Sequence, residues 1–427
     1  MATLAAKKHL AEAAKTLASP DREQSELYEF TGWHEHDGKL VYLATAAAIG
    51  TDKPLTVDLT GLAVGAGVPA LATFGPRDDG DQALLTAVDA LAGPVRECFP
   101  DLVTLPGLAV VFLAPIDRWA SKLATDRPGL HYIGTTGVRK SAWLAILQSF
   151  YGMVEPALSW RGTATSIEIA LSQLRDAVAT VDDYKASTSD RGAANKIMQS
   201  YGDRRGRSRA TRDGELAGAR FAGGLLVSAG EDVPTGEASS VARNLFVPTA
   251  SDDARLDLLT RAQEAAPALA TLTARYIAWL IGRQDQIGEE MREAFTEARG
   301  RYRQLLAHRK GINDAGRVAV DCALLETGAA IGCQWLRSVG WSEEVTEEWL
   351  QATQDALATL AISQAEAIGE ESAALAFLRA LRALLDSRRA ELATVEKDHA
   401  LPDLAGCAPS APMATMIGWR TSDGLLL

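Results

Sequence analysis

Apolar positions change period several times along the chain, and each change marks an element. Leu27-Tyr-Glu-Phe-Thr-Gly-Trp33 and Lys39-Leu-Val-Tyr-Leu-Ala44 are β-prone runs on either side of His34-Glu-His-Asp-Gly38. The Asp-Gly pair between them predicts a hairpin. Leu55-Thr-Val-Asp-Leu59 reads as a further strand of the same small sheet, and residues 1–20 as a short helix rich in Ala and Lys. Residues 82–125 read as helical, broken at Pro100 and Pro106, with Leu108–Ala114 a buried helix. The strand Leu130-His-Tyr-Ile133 comes next, then a glycine turn and the helical run Ala142–Phe150. Ser166–Leu174 is helical in period and feeds the apolar run Ala177-Val-Ala-Thr-Val181, which stops at Asp182-Asp183. Gly223-Gly-Leu-Leu-Val-Ser-Ala-Gly-Glu231 is one more core strand.

From Asp252 to Lys397 the period is helical almost throughout. Leu272, Tyr276, Trp279 and Leu280 fall at i, i+4, i+7 and i+8, the stripe of a core face rather than an aromatic platform. Ala373-Ala-Leu-Ala-Phe-Leu-Arg-Ala-Leu381 adds another apolar face, so a bundle of several helices is expected. Arg299–Lys310 is basic: a segment that could touch DNA, although most such helices are solvated faces. Asp398–Pro412 is a linker rich in Pro, Ala and Gly. The pattern Gly32-Trp33 with Asp37-Gly38 returns as Gly418-Trp419 with Asp423-Gly424. That recurrence fits a repeated β module, a cut inside a longer protein, or chance.

The stretch that organises the chain is Gly134-Thr135-Thr136-Gly137-Val138-Arg139-Lys140-Ser141, with Ala142 opening the helix behind it. Strand, glycine turn, Lys-Ser and helix are how a P-loop is built. Backbone N–H groups and the positive helix end face one anion, the lysine reaches the outer phosphates, and the hydroxyl ligates magnesium. Arg139 stands where the usual pattern has glycine, which is tolerable if that residue already has helical φ/ψ. The plainer reading is a glycine turn capping a buried helix, with Lys140 solvated.

The acidic pair Asp182-Asp183 lies forty-one residues beyond Ser141. A P-loop enzyme needs one carboxylate for the magnesium shell and another to polarise the attacking water. An ordinary strand-end turn would look the same. Glu231 ends a third strand, and ligand chemistry in parallel sheets collects where strands end. Arg243, twelve residues on, suits an arginine offered to a neighbouring subunit's nucleotide, or a plain surface position.

At 427 residues, two to four domains are expected: 1–100 an N-terminal α+β region with a hairpin, 101–250 the core, 251–397 the helical domain, and 398–427 a linker with the start of a β module. The fold class expected is an α/β P-loop NTPase core, a RecA/AAA+-like parallel sheet with flanking helices, joined to an all-α C-terminal bundle. Net charge is −12, so nucleic acid must be met by a local basic patch. Asn195–Asp213 supplies one: Lys196, Arg204, Arg205, Arg207, Arg209 and Arg212 against Asp203 and Asp213. Gly202-Asp-Arg-Arg-Gly206 is a turn signal that would put the arginines on a loop or hairpin tip, suited to phosphate contact or merely solvated. No apolar run approaches a bilayer span in this reading, and no signal peptide is expected. Cys98, Cys322, Cys333 and Cys407 are scattered as buried, reduced thiols of a cytoplasmic protein would be. His34 and His36 read as a solvated hairpin rather than a metal site.

The order of Gly134–Ser141, Asp182-Asp183, the Arg-rich turn, Gly230-Glu231 and Arg243 resembles the ring-forming helicases of superfamily three. It looks closer still to the helicase-like P-loop ATPases of phages, plasmids and integrative elements, a domain-of-unknown-function family often joined to primase regions. Gly32-Trp33 with Asp37-Gly38, Ala114-Pro115, Pro234, Ala242-Arg243 and Tyr276-x-x-Trp279-Leu280 carry the rest of the likeness, over residues 27–280. The resemblance implies ATP and Mg2+ as cofactors, single-stranded or forked DNA as partner, a hexameric ring, and a possible primase neighbour. It implies Lys140 on the β and γ phosphates, Ser141 and Asp182 at magnesium, and Asp183 as the base. Glu231, where superfamily three has Asn, becomes the sensor and Arg243 the finger. Lys196, Arg204, Arg205, Arg207 and Arg209 become the DNA contacts. Two other readings stay open: a nucleotide-holding scaffold with little hydrolysis, and an ATPase that remodels a protein.

Overall fold

A computed structural model of the chain describes residues 27–44, 48–52, 55–57, 77–152, 158–202, 204, 207–210, 216–220, 223–234, 244–307, 315–387, 389–394, 409, 415–421 and 424–426. The helix expected at 1–20, the linker at 398–412, Arg205, Arg243 and Cys407 lie outside the described residues.

The chain opens with β1 (Leu27–Tyr28), β2 (Gly32–His36), β3 (Lys39–Leu43), β4 (Ala48–Ile49) and β5 (Thr56–Val57). β2 and β3 pair antiparallel with Trp33 opposite Tyr42, and β4 adds to β3. Asp37 (φ 50°) and Gly38 (φ 71°) are both left-handed, as a two-residue turn matched to strand twist requires. Two expectations change here. β5 does not join this sheet but pairs in parallel with β1. The hairpin histidines are not solvated: His34 and His36 are each 9% exposed, bonded to the Phe30 carbonyl at 3.0 Å and the Tyr28 hydroxyl at 3.1 Å.

Helix α1 (Arg77–Ala90) runs through a π turn at Leu91–Val95 before α2 (Asp101–Leu113) and the single turn α3 (Asp117–Ala120). Pro100 caps α2, but Pro106 lies inside it and does not break it. Packing on all sides of α2, where Val103 through Leu113 are buried, outweighs the one missing N–H. The stretch Asp101–Ala120 is also long and apolar enough to cross a membrane by length and composition, a correction to the expectation above. It is 89% buried in the protein, as a central core helix is.

The sheet that positions the site is built from β6 (Gly129–Ile133), β7 (Leu158–Ser159), β8 (Val178–Tyr184), β11 (Leu225–Gly230) and β12 (Asn244–Pro248). Its order is β12-β6-β11-β8-β7 and every pairing is parallel. All six residues of β11 are buried, as a central parallel strand covered on both faces must be. Helices α4 (Lys140–Ser149), α5 (Ala164–Gln173) and α6 (Arg191–Gly202) connect these strands, and the hairpin β9 (Arg207–Ala210) with β10 (Leu216–Arg220) is inserted before β11. The all-parallel five-strand sheet with flanking helices, followed by a helical region, agrees with the coarse architecture expected.

Four long helices follow: α7 (Leu256–Ile281), α8 (Ile287–Leu306), α9 (Ala315–Ser338) and α10 (Glu343–Asp386). One buried cluster runs from Trp33 of the hairpin through α2 and β6 to Ile368 of α10. Helical structure does not reach Lys397, because β13 (Ala390–Thr394) pairs in parallel with β14 (Thr415–Thr421), which forms a hairpin with β15 (Gly424–Leu426). Gly418-Trp419 of the returning pattern therefore sits on a further β-hairpin, β14–β15.

At the amino end of the sheet, Asp117 joins these parts. Its carboxylate, 3% exposed, accepts from Arg127 at 2.5 Å and from both terminal nitrogens of Arg204 at 2.8 and 2.6 Å. Burial pushes this carboxyl up, but the two guanidiniums hold it below the usual range. Beside it, Asp176 accepts from the Trp33 N–H at 3.1 Å, its own carbonyl accepts from the Tyr42 hydroxyl at 2.8 Å, and Trp33 Nε1 donates to Pro115 O at 2.6 Å. These bonds dock the hairpin. Asp117→Asn is expected to cost about 3–5 kcal/mol in chemical denaturation, because it removes the buried carboxylate charge that both guanidiniums pair with. Burial pushes the Asp176 carboxyl from 3.8 to about 7, the Trp33 bond pulling down and Asp117 pushing further up. Its folded pKa is raised, so its favourable contribution is complete below the unfolded value and is lost as pH rises through about 7. Asp176→Asn should therefore stabilise the chain more at pH 8 than at pH 5, read from denaturation midpoints at both.

Candidate functional site

Strand β6 delivers the chain into the glycine turn, where the Gly134 N–H donates to Gly230 O at 3.2 Å. A Cβ on Gly134 would lie 2.3 Å from the Thr249 carbonyl, so no side chain fits where the turn leaves the sheet. Gly137 has φ 95° and ends the turn's outward sweep. Val138 is 1% exposed and packs beneath the turn. Arg139 caps α4 with φ 67° and ψ 20°, a left-handed residue. This corrects the expectation of helical φ/ψ. The slot keeps a glycine-type backbone and Arg139 bears the strain.

Lys140 begins α4, and its ammonium donates to Gly134 O at 2.6 Å and Thr135 O at 3.0 Å. Burial lowers its pKa and the nearby Lys185 charge lowers it further, while Asp182 and Glu231 oppose both. Across from it, Asp182 and Asp183 lie near the carboxyl end of β8, which runs one residue past them to Tyr184 rather than stopping at the pair. The Asp183 N–H donates to Asp182 Oδ1 at 2.7 Å, and Asp183 adopts φ 64°. That left-handed kink falls where the β8–β11 register shifts, between Ser228 and Gly230. It directs the second carboxylate to Arg161, 2.7 Å away on the loop before α5. Glu231, just past β11, accepts from the Thr136 hydroxyl and sits 2.9 Å from Lys185. Those two bonds hold its carboxyl below the usual range. Beneath them, burial pushes His131 down to about 4, so it stays neutral and bonds Ser228 at 2.7 Å and the Asp232 carbonyl at 3.0 Å.

The result is an open cleft of about 540 Å³ at the carboxyl end of the sheet. Thr136, Gly137, Arg139, Lys140, Ser141 and Ala142 line one wall, and Asp182, Asp183, Gly230 and Glu231 the other. Gly134, Thr135 and Val138 belong to the turn beneath them. The walls meet because β11 lies between β6 and β8 in one parallel sheet. Hydroxyl and carboxylate oxygens at Ser141 and Asp182 are the hard donors that a magnesium ion takes when substrate phosphates complete its shell. Among the described residues, no group of three or more His, Cys, Asp or Glu is arranged as a metal site.

The expected DNA contacts divide. Lys196 is exposed on α6. Arg207 and Arg209 lie on β9, within a hairpin rather than its tip. Arg204 is corrected: it occupies no tip, and its guanidinium is committed to Asp117. Arg161 and Lys185 were missed in the sequence. Lys185 follows the acidic pair by two residues, which was the available signal; nothing local marks Arg161.

A family model described as a domain of unknown function (DUF927) matches residues 101–220, the stretch that holds the glycine turn and the acidic pair. No curated protein sequence matches the chain. The fold is similar to a solved structure described as "SCCmec type IV Cch - active helicase", with a TM-score of 0.60 and 15% sequence identity. That likeness covers 98% of this chain and 73% of the other.

Arg139 gives a direct check on the turn. Arg139→Val should lose about 1–2 kcal/mol in urea denaturation, since a β-branched residue is costliest in a left-handed slot. Arg139→Gly should leave stability nearly unchanged, strain relief being offset by unfolded-chain entropy.

Proposed function

We propose that this chain is an ATP-dependent DNA helicase or translocase of a mobile genetic element, acting as a homo-oligomeric ring. One observation carries the reading: Lys140, Ser141, Asp182, Asp183 and Glu231, far apart in sequence, face one open cleft where three parallel strands end. The similarity in fold to a structure described as an active helicase supports the choice among nucleotide-driven functions.

In this reading Lys140 leaves the Gly134 and Thr135 carbonyls for the β and γ phosphates, which it binds more strongly than neutral oxygens. N–H groups of the turn and the start of α4 hold the same anion. Ser141, and Asp182 through water, would hold a magnesium ion, which neutralises phosphate charge when bound. Asp183 orients the attacking water and takes its proton. Glu231 reports the γ phosphate, and Arg243 is offered to the next protomer. Lys196, Arg205, Arg207 and Arg209 are the DNA contacts; Arg204 is left out because Asp117 holds it.

The strain at Arg139 favours one other reading, a nucleotide-holding scaffold with little turnover. ATP turnover with and without single-stranded DNA, alongside native mass, separates them. The helicase reading expects DNA-stimulated turnover by an oligomer, reduced by a factor of about 10²–10³ in Lys140→Ala. Turnover unchanged in that variant would refute the assignment. Nucleotide binding without DNA-stimulated hydrolysis would favour the scaffold.

A further inference from the structure

Lys185 has no role in the motif set that points to ATP and does not itself line the cleft, yet it is paired with Glu231, which does. It follows β8 directly, and its backbone is fixed on both sides. Its N–H donates to Ser189 Oγ at 3.1 Å, its carbonyl accepts from Ser189 N at 2.8 Å, and the next N–H, Ala186, donates to Asp232 Oδ2 at 2.7 Å. The stem is therefore aimed rather than loose. Its ammonium, 29% exposed on the side chain, lies 2.9 Å from Glu231 Oε1. The same oxygen accepts from Thr136 of the glycine turn. One carboxylate oxygen thus ties the lysine to the turn that lines the cleft.

Lys140 lines the cleft from α4, and Lys185, just past the end of β8, is held at its edge by Glu231, which also lines it. Lys185 raises the electrostatic cost of charging Lys140. Converging cations repel; Asp182 and Glu231 offset that repulsion here, and an anionic ligand bound beside them would offset more of it. Glu231 is the holder in this arrangement. A bare carboxylate next to a polyphosphate would repel it, whereas the Lys185–Glu231 pair is neutral overall and its ammonium can turn to the phosphate.

We propose that Lys185 is a second phosphate-binding cation of this cleft, held by Glu231 until the terminal phosphate of a nucleoside triphosphate takes it over. The inference rests on the nucleotide reading above and deepens it: Glu231 reports the γ phosphate through Lys185 rather than by touching it. Glu231 is then a positioning residue, and Lys185 selects triphosphate over diphosphate.

The test is competition of ATPγS and of ADP, each with magnesium, against a fluorescent nucleotide analogue on the full chain. Wild type should prefer ATPγS. Lys185→Ala should weaken ATPγS about tenfold or more and leave ADP within about twofold, the loss of one charge-assisted contact. Lys185→Arg should restore most of the preference. Glu231→Gln should not weaken ATPγS, because it frees the ammonium. Ligand-free melting temperatures within a few degrees of wild type show that each variant is folded. Equal losses for both nucleotides in Lys185→Ala, or a loss in Glu231→Gln as large as in Lys185→Ala, overturn the inference alone. A wild-type chain that binds neither nucleotide overturns the nucleotide reading and this inference with it.

Discussion

A parallel strand covered on both faces can present polar chemistry only at its ends, and this constraint governs the whole molecule. β6, β11 and β8 are buried along nearly all their length, so every charged group they carry is displaced to one edge or the other. The strand order then decides which ends meet. With β11 between β6 and β8, the glycine turn, Glu231 and the acidic pair open on one cleft, although Gly134 and Glu231 are nearly a hundred residues apart.

The opposite edge does different work. Arg127, Asp176 and Arg204 all lie just before strands or at turns between elements, and with Asp117 they form a buried ionic network under the N-terminal hairpin. Buried charges with full partners contribute modestly to net stability but heavily penalise any arrangement that strands one of them. The network thus fixes where β2 and β3 dock more than it adds to the stability of the core. Trp33 completes the joint: its indole N–H is satisfied by Pro115, and its ring packs edge-on to Tyr42 and Trp119 at 5.2 and 5.5 Å.

Sequence patterning read the carboxyl edge well and the amino edge poorly, for one physical reason. Lys140, Ser141, Asp182 and Glu231 announce themselves because strand-end chemistry is local: an apolar run stops and a specific residue follows. Asp117 and Arg204 are nearly ninety residues apart and belong to no repeated spacing, so their pairing exists only in the folded chain. Arg204 looked like part of a basic tip because its neighbours are basic, and local charge says nothing about which member turns inward. Pro106 misled in the opposite sense, since a breaker by local rules survives where packing surrounds α2 on every side. Arg139 is the subtlest case. The motif predicted its position correctly, but only the backbone reveals that the slot kept the left-handed geometry normally reserved for glycine.

The cleft is already full of partnerships. Lys140 bonds the turn's own carbonyls, Thr136 and Lys185 share one oxygen of Glu231, Asp183 pairs with Arg161, and Asp182 accepts from the backbone beside it. In the proposed reading, an incoming polyanion would therefore not meet bare charges. It would exchange these contacts for its own, and only the difference would be available as binding free energy. The groups that Lys140 would leave are peptide carbonyls, weak acceptors for a cation, so in the proposed reading it gains strongly from the exchange. Lys185 gives up a carboxylate instead, and gains only if the anion carries more charge than Glu231 does. A diphosphate, whose charge ends at the turn, gives it little reason to leave. A third phosphate does. Selectivity for the triphosphate can thus arise from the strength of the contact that is broken, without any pocket shaped to the nucleotide.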